Sequence, residues 1–120
     1  MNYYKFPKKL RLLKSKDFNL VLQQSMKINR SPIILYYCRN HYKFARLGLI
    51  INKYNIPLAY QRNRIKRLIR ESFRLNQNEL PSMDFVIIIK KKVDLMKNQK
   101  IVEILQTVWE ECYFIASKKC

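Results

Sequence analysis

The first regular hydrophobic period in the chain is Phe18, Val21 and Leu22, apolar at i, i+3 and i+4. Ser15 or Asp17 stands where a side chain can cap the orphan N–H groups of a helix, so a short amphipathic helix is expected to run to about Gln24. Ser31-Pro32 breaks the pattern. Ile33 to Arg39 is β-branched and aromatic and predicts a strand. Ala45 to Ile51 predicts another, and the polar stretch Asn40-His41-Tyr42-Lys43 between them predicts that the two form a hairpin. Gly48, the one glycine of the chain, falls inside the second strand, where a bulge or a close packing contact is expected.

Asn52 to Pro57 reads as a loop, and a helix is expected from about Leu58 to Leu75, closed by Leu80-Pro81. Phe85 to Ile89 is apolar without alternation, the pattern of a central strand covered by helices. Lys90-Lys91-Lys92 returns the chain to solvent. A last helix is expected from about Asn98 to Ser117. Its Ile101, Leu105, Val108, Cys112 and Ile115 alternate steps of four and three into one stripe that would pack on the sheet, with Trp109 beside it.

The middle helix carries the candidate chemistry. At about 100° per residue, Ile65, Leu68, Ile69 and Phe73 share one side and should pack inward. Arg62, Lys66, Arg67, Arg70 and Arg74 span the other side, with Asn63 among them and Arg64 at the far edge of the apolar stripe. A guanidinium presents a planar fork of donors that fits phosphate oxygens, whereas an ammonium is a compact point charge. Asn63 adds an amide able to bond a phosphate, a 2′-hydroxyl or a base edge. Glu71 is the single acid against six bases in this stretch, so pairing along the helix cannot neutralise it.

Composition turns that face into an expectation about partners. The 120 residues, expected to form one domain over 1–120, hold 25 Lys and Arg against 8 Asp and Glu, a net charge of +17. Such a charge repels itself in a small globule and is relieved by a polyanion, with counterion release favouring nucleic acid. Residues 1–10 read as a basic arm, expected to be mobile. Cys38, Cys112 and Cys120 are odd in number and show no C-x-x-C pair, which predicts reduced thiols and a cytoplasmic setting. The longest apolar run is far short of a membrane span, and no signal peptide is expected.

Arg62-Asn63-Arg64-Ile65-Lys66-Arg67-Leu68 followed by Arg70-Glu71-Ser72-Phe73-Arg74 resembles the signature helix of the bacterial ribonuclease P protein component. Leu12-Leu13-Lys14 with Phe18, Arg46-Leu47-Gly48-Leu49, and Glu79-Leu80-Pro81-Ser82-Met83-Asp84-Phe85-Val86 resemble that family in the same order, so the likeness spans about Leu10 to Lys118. It implies an α+β domain, a small mixed sheet with helices in the order α-β-β-β-α-β-α. The domain would be ribosomal-protein-like, with a left-handed βαβ crossover where ordinary chirality is right-handed. It also implies two partners, a catalytic RNA and precursor tRNA, whose 5′ leader is removed by phosphodiester hydrolysis giving a 5′-phosphate.

In that reading the RNA subunit is gripped by Arg62, Asn63, Arg64, Lys66, Arg67, Arg70 and Arg74. A cleft with Phe18, Leu22, Tyr36 and Lys53 holds the single-stranded leader, aromatic faces stacking on bases and cations following the backbone. Leu22 stands where a second aromatic is common in the family, Lys53-Tyr54 where a lysine pair is common, and Pro57-Leu58 where some relatives are basic. The approach loop would then hold RNA less strongly, or Tyr54 would bring stacking in place of charge.

The chain's own residues do not assemble a nuclease. His41 is the one histidine, expected in a surface turn, and the eight carboxylates are scattered. No catalytic residue, metal ligand or cofactor is expected on the protein itself, and Mg²⁺ is expected with the RNA subunit. Composition alone leaves open a ribosomal RNA-binding structural or assembly protein, a stand-alone basic nuclease and a peripheral membrane protein. The last lacks the Trp- and Phe-rich insertion face of that class.

Overall fold

The structure is a computed structural model that describes residue 23, residues 26–40 and residues 42–118, with side chains as far as residue 115. The expected first helix with Phe18 and Leu22, the basic arm 1–10, His41 and Cys120 lie outside the described residues.

Four strands form one mixed sheet in the order β1-β2-β4-β3: β1 Met26–Arg30, β2 Ile33–Arg39, β3 Arg46–Ile50 and β4 Met83–Ile89. Helix α1 (Ala59–Asn76) joins β3 to β4, and a short 3₁₀ turn, Val93–Leu95, leads from β4 into α2, Asn98–Lys118. The middle and last helices therefore lie within a residue of their expected bounds.

The expected hairpin of Ile33–Arg39 with Ala45–Ile51 does not form. Strand β4 lies between the two, antiparallel to β2 and parallel to β3. The physical reason is the composition of β4. Met83 to Ile87 and Ile89 are buried, and a strand apolar on both faces gains most from neighbours on both edges. Strand β2 instead finds its hairpin partner upstream in β1, through the turn at Ser31-Pro32, whose peptide bond is cis. Strand β1 escapes a reading by periodicity because Ile28 is its one buried position. It is an edge strand, and exposed edges carry polar and charged residues.

One face of the sheet meets both helices. Ile33, Leu35 and Tyr37 of β2, Leu47 of β3, and Phe85, Ile87 and Ile89 of β4 pack with Ile65, Ile69 and Phe73 of α1. Ile101, Leu105, Val108 and Cys112 of α2 complete this core, with Ile115 half-buried at its margin. That is the stripe read from the sequence. Trp109 stands at the centre of the helix–helix seam, edge-on to Phe73 and to Phe85 with ring centroids 5.8 Å apart in each case. Its indole Nε1–H donates to Ser72 Oγ at 2.8 Å. Both groups are buried, so the bond satisfies a polar atom that would otherwise be stranded in the core.

The opposite face carries fully buried Val86, flanked by partly buried Tyr36, Cys38, Ile50 and Ile88. Gly48 is in register with Val86 and Val86 with Tyr36. The β3–β4 pairing is continuous from Arg46 to Ile50, so Gly48 marks no bulge. What it provides is a position without a side chain in the same cross-strand row as Tyr36.

Residues 40–45 connect β2 to β3 past the start of β4, and Asp84 ties that crossing down. Arg46 Nε and Nη2 donate to the two Asp84 oxygens at 2.8 and 2.7 Å, and Asn40 Nδ2 donates to Asp84 Oδ1 at 2.8 Å. Asn40 Nδ2 also donates to the Phe44 carbonyl, and the Arg46 guanidinium lies 4.3 Å from the Tyr42 ring centre. The pair is nearly dry, with side-chain exposures of 13% for Arg46 and 7% for Asp84. A buried charge needs such multiple bonding to offset its desolvation.

Candidate nucleic-acid interface

Helix α1 sorts its residues by side as its sequence predicts. Ile65, Ile69 and Phe73 are buried, with Ser72 beside them and Leu68 half-buried. Asn63, Arg67, Arg70 and Arg74 follow at steps of four, three and four, which is one ridge on the outer side. At 1.5 Å per residue that ridge is about 16 Å long. The core grip on the inner side makes it rigid.

The structure separates the predicted cations by what their donors already do. Arg62 Nη1 donates to the carbonyls of Ile56 and Pro57 at 2.9 and 2.8 Å, folding back over the turn that precedes the helix. Arg64 bridges elements: Nε donates to Gln61 Oε1 at 2.8 Å, Nη2 to the Asp94 carbonyl at 3.1 Å, and Nη1 to Asn98 Oδ1. It thus ties α1 to the 3₁₀ turn and to the start of α2. Arg74 pairs with Glu71 one turn earlier, and that hydrogen bond holds the Glu71 carboxyl below its ordinary range. Arg67 and Asn63 are exposed, and their side chains make no hydrogen bond or ion pair among the described residues. Arg70 is exposed and Lys66 half-buried.

The amino-terminal end of α1 adds to this field. Leu58 occupies the cap position without a side-chain bond, and the first turn holds no acid. Its N–H groups therefore present uncompensated positive potential, as anion-binding helix ends do.

Of the expected leader contacts, Tyr36 lies half-buried on the second sheet face in the row of Val86 and Gly48. Lys53 is exposed in the turn after β3. Phe18 and Leu22 lie outside the described residues. Cys38 and Cys112 are free thiols, and burial raises both: Cys112 is pushed up to about 12, with Glu111 nearby adding to the effect. Among the described residues no three His, Cys, Asp or Glu side chains gather as a metal site would require, and no helix is long and apolar enough to cross a membrane.

Two features went unread in the sequence. The Asp84 network links residues 38 and 44 positions apart, and no local period signals such a pair. A lone acid opening an apolar strand was the available hint. Ser72 was a helix-face serine whose partner lies 37 residues away.

Comparison with known proteins gives a consistent result. The family model described as Ribonuclease P matches residues 6–113. The ribonuclease P protein component of Proteus mirabilis is 42% identical over 113 residues, covering 94% of this chain and 95% of that protein. The corresponding protein of Buchnera aphidicola subsp. Schizaphis graminum is 48% identical over 109 residues, covering 91% and 95%. Among solved structures, a Staphylococcus aureus RNase P protein mutant with defective mRNA degradation activity superposes with a TM-score of 0.80 at 27% identity, covering 92% of this chain and 90% of that one. The RNase P protein of Thermotoga maritima gives 0.75 at 25% identity, covering 84% and 96%. With a family model and near full-length relatives in agreement on a shared fold, the chain belongs to the ribonuclease P protein family.

Proposed function

We propose that this chain works in tRNA processing as the RNA-binding protein subunit of a ribonuclease P ribonucleoprotein, assisting a catalytic RNA in removing the 5′ leader from precursor tRNA. The observation that carries the reading is the outer ridge of α1, Asn63-Arg67-Arg70-Arg74, opposite a side fixed in the core by Ile65, Ile69 and Phe73. A rigid row of guanidinium groups suits a folded RNA, whose phosphates are themselves fixed in space. Lys66 widens that row. Arg62 and Arg64 serve it indirectly, by fixing the approach turn and the seat of the helix.

The leader would pass along the second sheet face, where Tyr36 offers a ring in the same cross-strand row as the side-chain-free position at Gly48, with Val86 between them, Lys53 following the backbone and Phe18 and Leu22 completing the cleft. Stacking of this kind tolerates many sequences. The phosphodiester chemistry, and the Mg²⁺ it uses, belong to the RNA subunit in this reading. The protein contributes positioning, and its +17 charge lowers the repulsion between two polyanions.

Reconstitution with a ribonuclease P RNA at low Mg²⁺ tests the proposal. Leader removal should be much faster with the protein than without it. Cleavage of precursor tRNA at the mature 5′ end by the protein alone would refute it, as would an unchanged rate on adding the protein.

A further inference from the structure

Tyr54 is the most exposed aromatic side chain among the described residues, at 77%. A single exposed ring needs no explanation, but this one is held in place. Asn52 closes its turn, accepting the Asn55 N–H on Oδ1 at 2.8 Å and the Ile56 N–H on its carbonyl at 3.0 Å. Ile56 is fully buried, and Asn55 Nδ2 donates to the Ile89 carbonyl at 3.1 Å, anchoring the turn to the end of β4. From the next segment the Lys91 ammonium lies 4.1 Å from the centre of the Tyr54 ring. Lys92 then turns the chain in the left-handed region, at φ 78°, a conformation uncommon for a residue with a side chain.

Strands β3 and β4 are parallel, so their carboxyl ends both deliver chain to this corner, where α1 also begins. The result is an aromatic plate with a cation against one face and the other face open to water. Lys53 stands next to it in the chain, and Lys90 and Lys92 are exposed nearby. A ring and a small set of ammonium groups are the two components of single-strand recognition: the base takes the open face and its phosphate takes the cations.

We infer that Tyr54, backed by Lys91, is a stacking platform for one unpaired RNA base, a binding residue additional to the α1 ridge. The inference rests on the RNA-binding reading above. An unpaired base could come from the RNA subunit or from the leader of the precursor, and the two are separable by experiment.

The test uses the protein reconstituted with a ribonuclease P RNA. One arm measures protein affinity for that RNA alone; the other measures holoenzyme affinity for precursor tRNAs of increasing leader length. Tyr54→Leu, which keeps apolar bulk, should weaken one arm about 5- to 100-fold without changing its salt slope. Tyr54→Phe should stay within about twofold, because the ring face is retained. Lys91→Ala should lower the slope of the same arm by about 0.7 to 0.9, the signature of one phosphate no longer neutralised. The arm that responds identifies the source of the base. Parent-like affinity of Tyr54→Leu in both arms overturns the inference, as does an equal loss with Tyr54→Phe. Arg67→Ala distinguishes the two levels: if it weakens RNA binding while Tyr54→Leu is silent, the platform alone fails; if both are silent, the RNA-binding reading fails with it.

Discussion

Replacing Arg64 and Arg67 separately with alanine should produce two different defects from two residues of one motif. Arg64 makes three hydrogen bonds, to Gln61, to the Asp94 carbonyl and to Asn98. A net bond of this kind contributes about 0.5–1.5 kcal/mol, and these lie partly in solvent, so the total loss should be about 1–2 kcal/mol. For a domain of this size that lowers the melting temperature by about 4–8 °C. Arg67 is exposed and has no such bonds among the described residues, so its removal should change stability by no more than about 0.5 kcal/mol. Its effect should appear on RNA: the slope of log K against log salt should fall by about 0.7–0.9, because one phosphate is no longer neutralised by the protein. Any affinity lost with Arg64→Ala should leave that slope unchanged, since it follows from a loosened helix. Thermal unfolding of the protein and a salt titration of its binding to a ribonuclease P RNA measure both quantities. An Arg64→Ala protein that melts like the parent yet loses a full slope unit would refute the division.

Ser72→Ala should destabilise by about 1–3 kcal/mol, because it strands the Trp109 N–H in the core; a urea midpoint followed by Trp109 fluorescence checks this, and an unchanged midpoint would show the bond to be dispensable. Asp84→Ala should cost about 3–5 kcal/mol by removing the carboxylate that meets the buried Arg46 charge, and amide exchange should accelerate across residues 42–46; a surface-like effect below about 1 kcal/mol would contradict the burial of the pair. The Cys112 thiol, raised by burial to about 12 in the fold, returns to its ordinary value of about 8.5 on unfolding. Its stabilising contribution is therefore complete below about pH 8.5 and lost as pH rises towards 12. The unfolding midpoint should fall more steeply over that window in the parent than in Cys112→Ala, and parallel curves would refute the assignment.

The parts of the fold legible in the sequence were those whose signal is local. The stripe from Ile101 to Ile115 and the two sides of α1 both lie within single helices, where a period of 3.6 is a direct record of burial. The central place of β4 was legible from its unbroken apolar run. Strand partners were not. Sequence neighbours β2 and β3 looked like a hairpin because each has the right composition, but the choice between them was made by a strand more than 30 residues downstream. The motif on α1 was recognisable as a set of cations, whereas the separate tasks of Arg62, Arg64 and Arg67 depend on carbonyls and amides from other segments. Charge is written in the chain; what each charge already bonds is decided only when distant segments meet.

The position of β4 in the sheet bears on how the protein can be made. A nascent chain that has emerged only as far as the end of α1 owns the β1–β2 hairpin and β3, but not the strand that joins them. Until Met83–Ile89 leaves the ribosome, β2 and β3 each hold an unsatisfied edge and α1 has no complete floor on which to lie. Release of the carboxyl-terminal third should therefore complete the sheet and seat the helix together, and fragments ending before that point should be prone to sticking to one another rather than to RNA.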